Sequence, residues 1–346
     1  MRSRPMMLAT LAVAFVACAE ARPIDLGARA DSSAADERGV PDGVPSAVDE
    51  SEPGPVEIAP GAEATSVPPS CASVVVAEGD SVIPQTTLHL RASDAPEPTA
   101  RFAWRVDQPP GAASRFLPSE AAASPVFEAN VAGRYTFYLT LTDAFGAACE
   151  AAPVTVDVVP DEALHIELLW HTPGDLDESD EGDGLGSDLD LHLLLGTVPG
   201  AYEFFDLIFD TFFANGSPNW GRFGASDDPH IDRDDTDVAG PENLNLTDPP
   251  PLTCYTIGVY VHSDGGYGPS VATVRLYRFG VLAFEATGPG LVANDLWTVT
   301  TFCWPIASAP LVRRVCAGTR VACGTSADCV DGVACALDIV QHPRYD

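Results

Sequence analysis

The chain has no lysine; all 18 of its basic residues are arginine. That excludes a lysine Schiff base and a Walker-type phosphate lysine. Positive charge of any kind is scarce. Fifty Asp and Glu oppose those arginines, giving a formal net charge of −32. So acidic a chain offers no basic patch to displace counterions from phosphates, which excludes nucleic acid as a partner. An anionic membrane surface is disfavoured for the same reason. A G-x-S-x-G elbow and an H-E-x-x-H pair are also missing, and with them the local signatures of two hydrolase classes. The seven His are scattered. Paired carboxylates for glycoside hydrolysis are defined by a separation across a cleft, which spacing along a chain does not give. The sequence is therefore read as non-catalytic. An accessory role beside a secreted glycoside hydrolase or peptidase is an alternative.

Long apolar runs are absent after the first twenty residues. The one run that exists lies in MRSRPMMLATLAVAFVACAEARP, behind two Arg and ahead of small residues. This is the anatomy of a secretory signal, too short to span a bilayer. Two processing sites are open. FVAC, ending in Cys18, resembles a bacterial lipobox, although Phe15 replaces the usual leucine. Ala19-Glu20-Ala21 is an A-x-A site. Parity favours the first: of nine Cys, lipidation of Cys18 leaves eight, enough for four disulfides. The protein is expected to be exported, either to the outer membrane and cell surface or into the medium. Its only membrane contact would be the lipid.

Residues 19–69 contain no aromatic side chain, and hold eleven acids and three Arg among Ala, Gly, Ser and Pro. Such a segment cannot bury enough apolar surface to offset chain entropy. It is expected to be a disordered acidic linker, about 40 Å in r.m.s. span.

From Cys71 the pattern becomes β. SVVVAEGDSVI, TLHLRAS, RFAWRVD, SPVFEANV, GRYTFYLTLTD and APVTVDVV are short runs punctuated by Pro, Gly, Ser and Asp. Runs so spaced, without helical periodicity between them, predict a β-sandwich. In RYTFYLTLTD, Tyr135, Phe137, Leu139 and Leu141 share one face, the alternation of a half-buried strand. Trp104 is placed to fill the centre. FAWRV, PPGAASRF and SPVFEANVAGRYTFYLTLTDAFG together resemble a PKD-type immunoglobulin-like domain over residues 70–160. The resemblance implies a spacer or binding module without catalytic residues. Cys71 before the first strand and Cys149 after the last hairpin turn can pair, closing a loop worth about 4 kcal/mol in the chain-entropy model.

A second β-rich region covers 161–309, with strands LHIELLW, DLDLHLLL, YTIGVYVHS, ATVRLYRFGVLAFEA and LWTVTTFCW. Between Asp161 and Asp248 stand 22 acids against two Arg. LLWHTPGDLDESDEG, GSDLDLHLL, PNWG, DDPHIDRDDTDVAGPENL and GPSVATVRLYRFG resemble the sandwich that follows PKD-like modules in secreted proteins and lipoproteins of myxobacteria and related bacteria. That resemblance implies an architecture and a habitat, not an activity. The fold class is thus all-β: two sandwiches, a tether before them and a Cys-rich tail over 310–346. In the tail, Cys316, Cys323, Cys329 and Cys335 lack the C-x2-4-C spacing of structural zinc. Disulfides are expected there, with Cys254 and Cys303 completing the eight. Their connectivity is left open by the spacing.

Calcium takes six to eight oxygen ligands in flexible geometry. Two stretches supply such oxygens. In Asp175–Asp190, Asp177, Ser179, Glu181, Gly182 and Asp188 partly imitate an EF-hand loop, but strands flank it, so only the ligand logic is kept. In DDPHIDRDDTDVAGPENL, seven carboxylates crowd sixteen residues, and several unpaired would repel one another by about 1 kcal/mol per pair. The expected ligands are Asp232, Asp234 and Asp237, with Asp188, Asp190 and Asp177 contributing. Solvated acidic loops are the alternative. A transition-metal site at Asp188, Asp190 and His192 is another, since these share the polar face of DLDLHLLL. The partner is expected to be a protein or a glycan. For a glycan-binding sandwich the stacking candidates are Tyr202, Phe204, Phe205, Trp220, Tyr267 and Trp297, most of them expected in the core.

Overall fold

A computed structural model describes residues 71–95, 99–179, 182, 185–222, 224–236 and 239–343. The signal, Cys18, the 19–69 linker and Asp237 lie outside the described residues. The described fold is all-β, and no helix in it is long and apolar enough to cross a membrane.

The first sandwich is built from β1 (Ser73–Val76), β2 (Ser81–Val82), β3 (Thr86–Ser93), β4 (Thr99–Asp107), β5 (Phe116–Leu117), β6 (Val126–Ala129), β7 (Gly133–Asp143), β8 (Ala148–Glu150) and β9 (Val154–Val158). One sheet is ordered β1-β3-β6-β5. The other is β2-β9-β7-β4, with β8 on β7. The alternation in β7 is realised as read: Tyr135, Phe137, Leu139 and Leu141 are all buried, against Leu88, Leu90 and Phe127 of the facing sheet. Truncating any of these leucines to Ala would cost about 2–5 kcal/mol. Trp104 is buried and donates its indole N–H to Ala122 O at 2.9 Å. The Tyr135 hydroxyl donates to Val131 O at 3.0 Å and accepts from Val131 N at 3.1 Å. This back-bond from the start of β7 is the tyrosine corner of immunoglobulin-like sandwiches. Burial drives the Tyr135 hydroxyl pKa upward, so it stays protonated and able to donate. Cys71 and Cys149 form a disulfide that ties the two sheets together.

The second sandwich contains β10 (Leu164–His171), β11 (Asp188–Leu195), β12 (Asp210–Thr211), β13 (His230–Arg233), β14 (Glu242–Leu246), β15 (Cys254–Ser263), β16 (Ser270–Arg278), β17 (Val281–Leu291) and β18 (Asp295–Cys303). The chain ends with β19 (Arg314–Cys316) and β20 (Cys335–Gln341). One sheet is ordered β13-β14-β10-β16-β17, the other β12-β11-β15-β18-β20-β19. Between them lies a core of Leu164, Ile166 and Leu168 against Leu189, Leu191, Leu193 and Trp297.

Two arrangements go beyond the reading of sequence. The tail is not an appendage, because β20 pairs antiparallel with β18 and extends the sheet. Disulfides Cys316–Cys329 and Cys323–Cys335 fasten it, while Cys254–Cys303 joins directly opposed residues of β15 and β18. All four tail sulfurs are thereby consumed, and the zinc reading has no thiolates to use. Second, the two sandwiches pack together through the outer face of β10. Glu167, fully buried, accepts from Ala132 N at 2.5 Å. Arg275 reaches across to Pro110 O at 3.0 Å, and Arg233 pairs with Glu128 at 2.9 Å. Gly111 approaches so closely that a Cβ there would stand 2.7 Å from Leu169.

Candidate metal centre

β11 is an edge strand for half its length, since β12 covers only Leu193 and Leu194. Its N–H at Leu191 would otherwise be open. Glu242, at the start of β14 in the other sheet, closes it: Glu242 Oε2 accepts from Leu191 N at 2.5 Å. Glu242 has the same strand parity as the core residues Leu244 and Leu246, so it must point inward. Asp190 projects from the neighbouring position of β11. Asp234 comes from the segment following β13. One carboxylate oxygen from each of Asp190, Asp234 and Glu242 lies within 4.8 Å of the other two. The β11–β15 register shifts between Asp188 and Leu189, and the β13–β14 register shifts between Ile231 and Arg233. Such irregularities re-aim side chains near sites.

Asp190 is 3% exposed and Glu242 2%. Asp190 Oδ2 and Glu242 Oε1 receive no hydrogen bond from any described residue. Burial pushes the Asp190 carboxyl well above the ordinary range, and the charges of Asp188 and Asp234 push it further. Glu242 is raised by burial first and then by Asp190, with the Leu191 N–H pulling the other way. Three carboxylates so placed either hold protons or hold a cation. The set is all oxygen, with no imidazole or thiolate in it. That donor chemistry suits a hard cation such as calcium rather than zinc or iron.

Asp188, Asp232 and Asp177 are not among the three converging carboxylates, and Asp237 lies outside the described residues. Asp188 sits two residues from Asp190, and its charge pushes the Asp190 carboxyl up. Asp232 pairs with His230 at 3.1 Å and accepts from the Asn245 amide. Asp177 is held in its own turn, accepting from Ser179 Oγ at 2.6 Å and Ser179 N at 3.2 Å. His192 is not part of the cluster. Its Nδ1 lies 2.7 Å from Asp210 Oδ2, and its ring stacks on Phe212 at 5.1 Å inside a fully buried aromatic pocket. The remaining described acids of DDPHIDRDDTDVAGPENL have local donors. Asp227 accepts from Arg222 N, Asp228 from Trp220 N, and Asp235 pairs with Arg233. Glu242 is the member of the converging trio that the sequence does not point to. Its parity with Leu244 and Leu246 was the available signal.

No family model matches this sequence, and no curated protein does. Among solved structures, the D00-D0 domain of Intimin aligns with 64% of this chain and 98% of its own length, at 8% identity and a TM-score of 0.19.

Proposed function

We propose that this chain is a non-catalytic, exported module of the cell surface, structural or adhesive in role, whose second sandwich is fastened by calcium. In this reading the first sandwich is a PKD-type spacer of the kind carried by secreted myxobacterial proteins, and Cys18 bears the lipid anchor. The observation that carries the calcium assignment is the convergence of Asp190, Asp234 and Glu242, two of them buried with oxygens that no donor reaches. Asp190 belongs to one sheet and Glu242 to the other. A cation among them would bridge the two sheets and cancel the repulsion that their burial creates.

Calorimetric titration of the chelator-treated protein with calcium is the direct test. Extracellular modules bind calcium with dissociation constants of about 10⁻⁴–10⁻³ M. At about 100 times that constant the folded state gains roughly 2.7 kcal/mol, so melting should rise. Asp190→Asn combined with Glu242→Gln should abolish the binding heat. The same pair should melt higher than the wild type in chelator, because it removes buried charge that lacks a counter-charge. Absence of binding heat, with equal melting in calcium and chelator, would mean that the three acids are held by protons instead.

A further inference from the structure

One cavity shares no lining residue with the acidic cluster of Asp190, Asp234 and Glu242. A cavity of about 550 Å³ opens where the 198–204 loop, β18, β20 and the disulfide-held tail meet. Small-molecule sites range over roughly 300–1,000 Å³. Leu296, Val340 and Phe204 give it an apolar floor, and Tyr202 lines it while stacked on Phe209 at 3.5 Å. Of the six aromatic residues named as stacking candidates, Phe204, Phe205, Trp220 and Trp297 are buried, and Tyr202 and Phe204 line this cavity, Tyr202 being the less buried of the two.

The opposite character comes from the tail. Arg313 and Arg320 line the cavity too. Both are anchored on one carboxylate, Asp338, which is 1% exposed. Arg313 Nε lies 2.8 Å from Oδ2, and Arg320 Nε and Nη2 lie 3.1 and 2.8 Å from Oδ1. Two guanidiniums on one carboxylate leave one positive charge over. Neither Nη of Arg313, nor Nη1 of Arg320, makes a hydrogen bond among the described residues. In a chain of net charge −32, fixed and unspent guanidinium donors beside an apolar floor are an exception to the general acidity. The support is rigid. Arg320 lies between Cys316 and Cys323, each locked in its own disulfide. It also holds a left-handed backbone (φ 57°), which non-glycine residues seldom adopt without compensation. Glu203 lines the rim and offers acceptors, not donors.

We infer that this cavity binds an acidic sugar of the uronic acid type. The carboxylate takes the open N–H groups of Arg313 and Arg320, the ring face lies on Tyr202, and a hydroxyl donates to Glu203. With the Asp338 and Glu203 carboxylates set against the two guanidiniums, the lining is near neutral, which a monoanion unbalances by one charge and a phosphate dianion by two.

The test is calorimetry on the full chain with methyl β-glucuronide, methyl β-glucoside and glucose 6-phosphate, in calcium and in chelator. The glucuronide should bind about tenfold or more tightly than the glucoside, the loss expected when a charge-assisted hydrogen bond is removed. Arg320→Gln, at a half-exposed position, should bring the glucuronide down to the affinity of the glucoside. Tyr202→Ala should weaken both sugars alike. Binding that persists in chelator keeps this site separate from the calcium centre. Equal affinity for glucuronide and glucoside, absence of binding by either, indifference to both substitutions, or tighter binding of the phosphate would each overturn the assignment.

Discussion

Asp190 and Glu242 show how a carboxylate becomes informative once its burial is known. Their carboxyls are held well above the ordinary range, Asp190 by burial and the charges of Asp188 and Asp234, Glu242 by burial and the charge of Asp190. The folded chain therefore keeps protons that the unfolded chain releases. By linkage, that contribution is fully present below the unfolded carboxylate pKa and is lost as pH rises toward the folded values. In chelator, the wild type should lose stability between about pH 5 and pH 7.5 relative to the Asp190→Asn, Glu242→Gln pair. Calcium should shrink that loss, since it replaces the protons and binds better as they leave. Parallel melting series of the two proteins at both pH values give the difference directly, and a constant difference would refute the linkage. At this scale the sequence was partly legible. The crowding of acids was visible, and Asp190 and Asp234 were among the residues named. Asp232 and Asp177 were indistinguishable from them on composition. What separates the two groups is whether a donor such as Asn245 or Ser179 lies nearby, and for Asn245 that depends on strand register.

β10 is the element on which the molecule turns. Its even-numbered residues, from Leu164 to Trp170, face the core of the second sandwich. His165, Glu167 and Leu169 are buried on the other side, toward the first. The alternation in β7 was readable because one of its faces meets solvent. LHIELLW has no solvent face, so its pattern identified a strand but not its second partner. That partner lies on Ala132, Pro110 and Gly111, more than thirty residues away in the chain. Glu167→Ala would leave the Ala132 N–H without an acceptor and Arg275 with one fewer counter-charge. Removing one member of a buried charged network costs about 3–5 kcal/mol. Denaturant unfolding of this variant should resolve into two transitions, one per sandwich, where the wild type unfolds in one. A single transition at an unchanged midpoint would show that the interface does not depend on Glu167. The tail's place in the sheet is illegible for a related reason: its four Cys announce disulfides, but nothing local in CALDIVQ announces pairing with β18.

For the whole molecule, the proposed anchor at Cys18 decides where the chain resides. Cys18→Ser should release the protein from membranes into the soluble fraction. Recovery of an unlipidated chain that begins at Arg22 would instead establish cleavage at the A-x-A site. The placement of β20 has a further consequence, which concerns time rather than energy. The first sandwich is complete once Val158 has emerged, because all of its strands precede that residue. The second cannot finish its sheet, or seat Val340 against Leu296 and Phe204, until residues 335–341 arrive. In a chain that emerges N-terminus first, the earlier sandwich is a finished surface waiting for β10, while the later one stays open by construction. Its acids and its cysteines therefore meet the medium, with whatever cations and oxidants it holds, before the fold shuts around them.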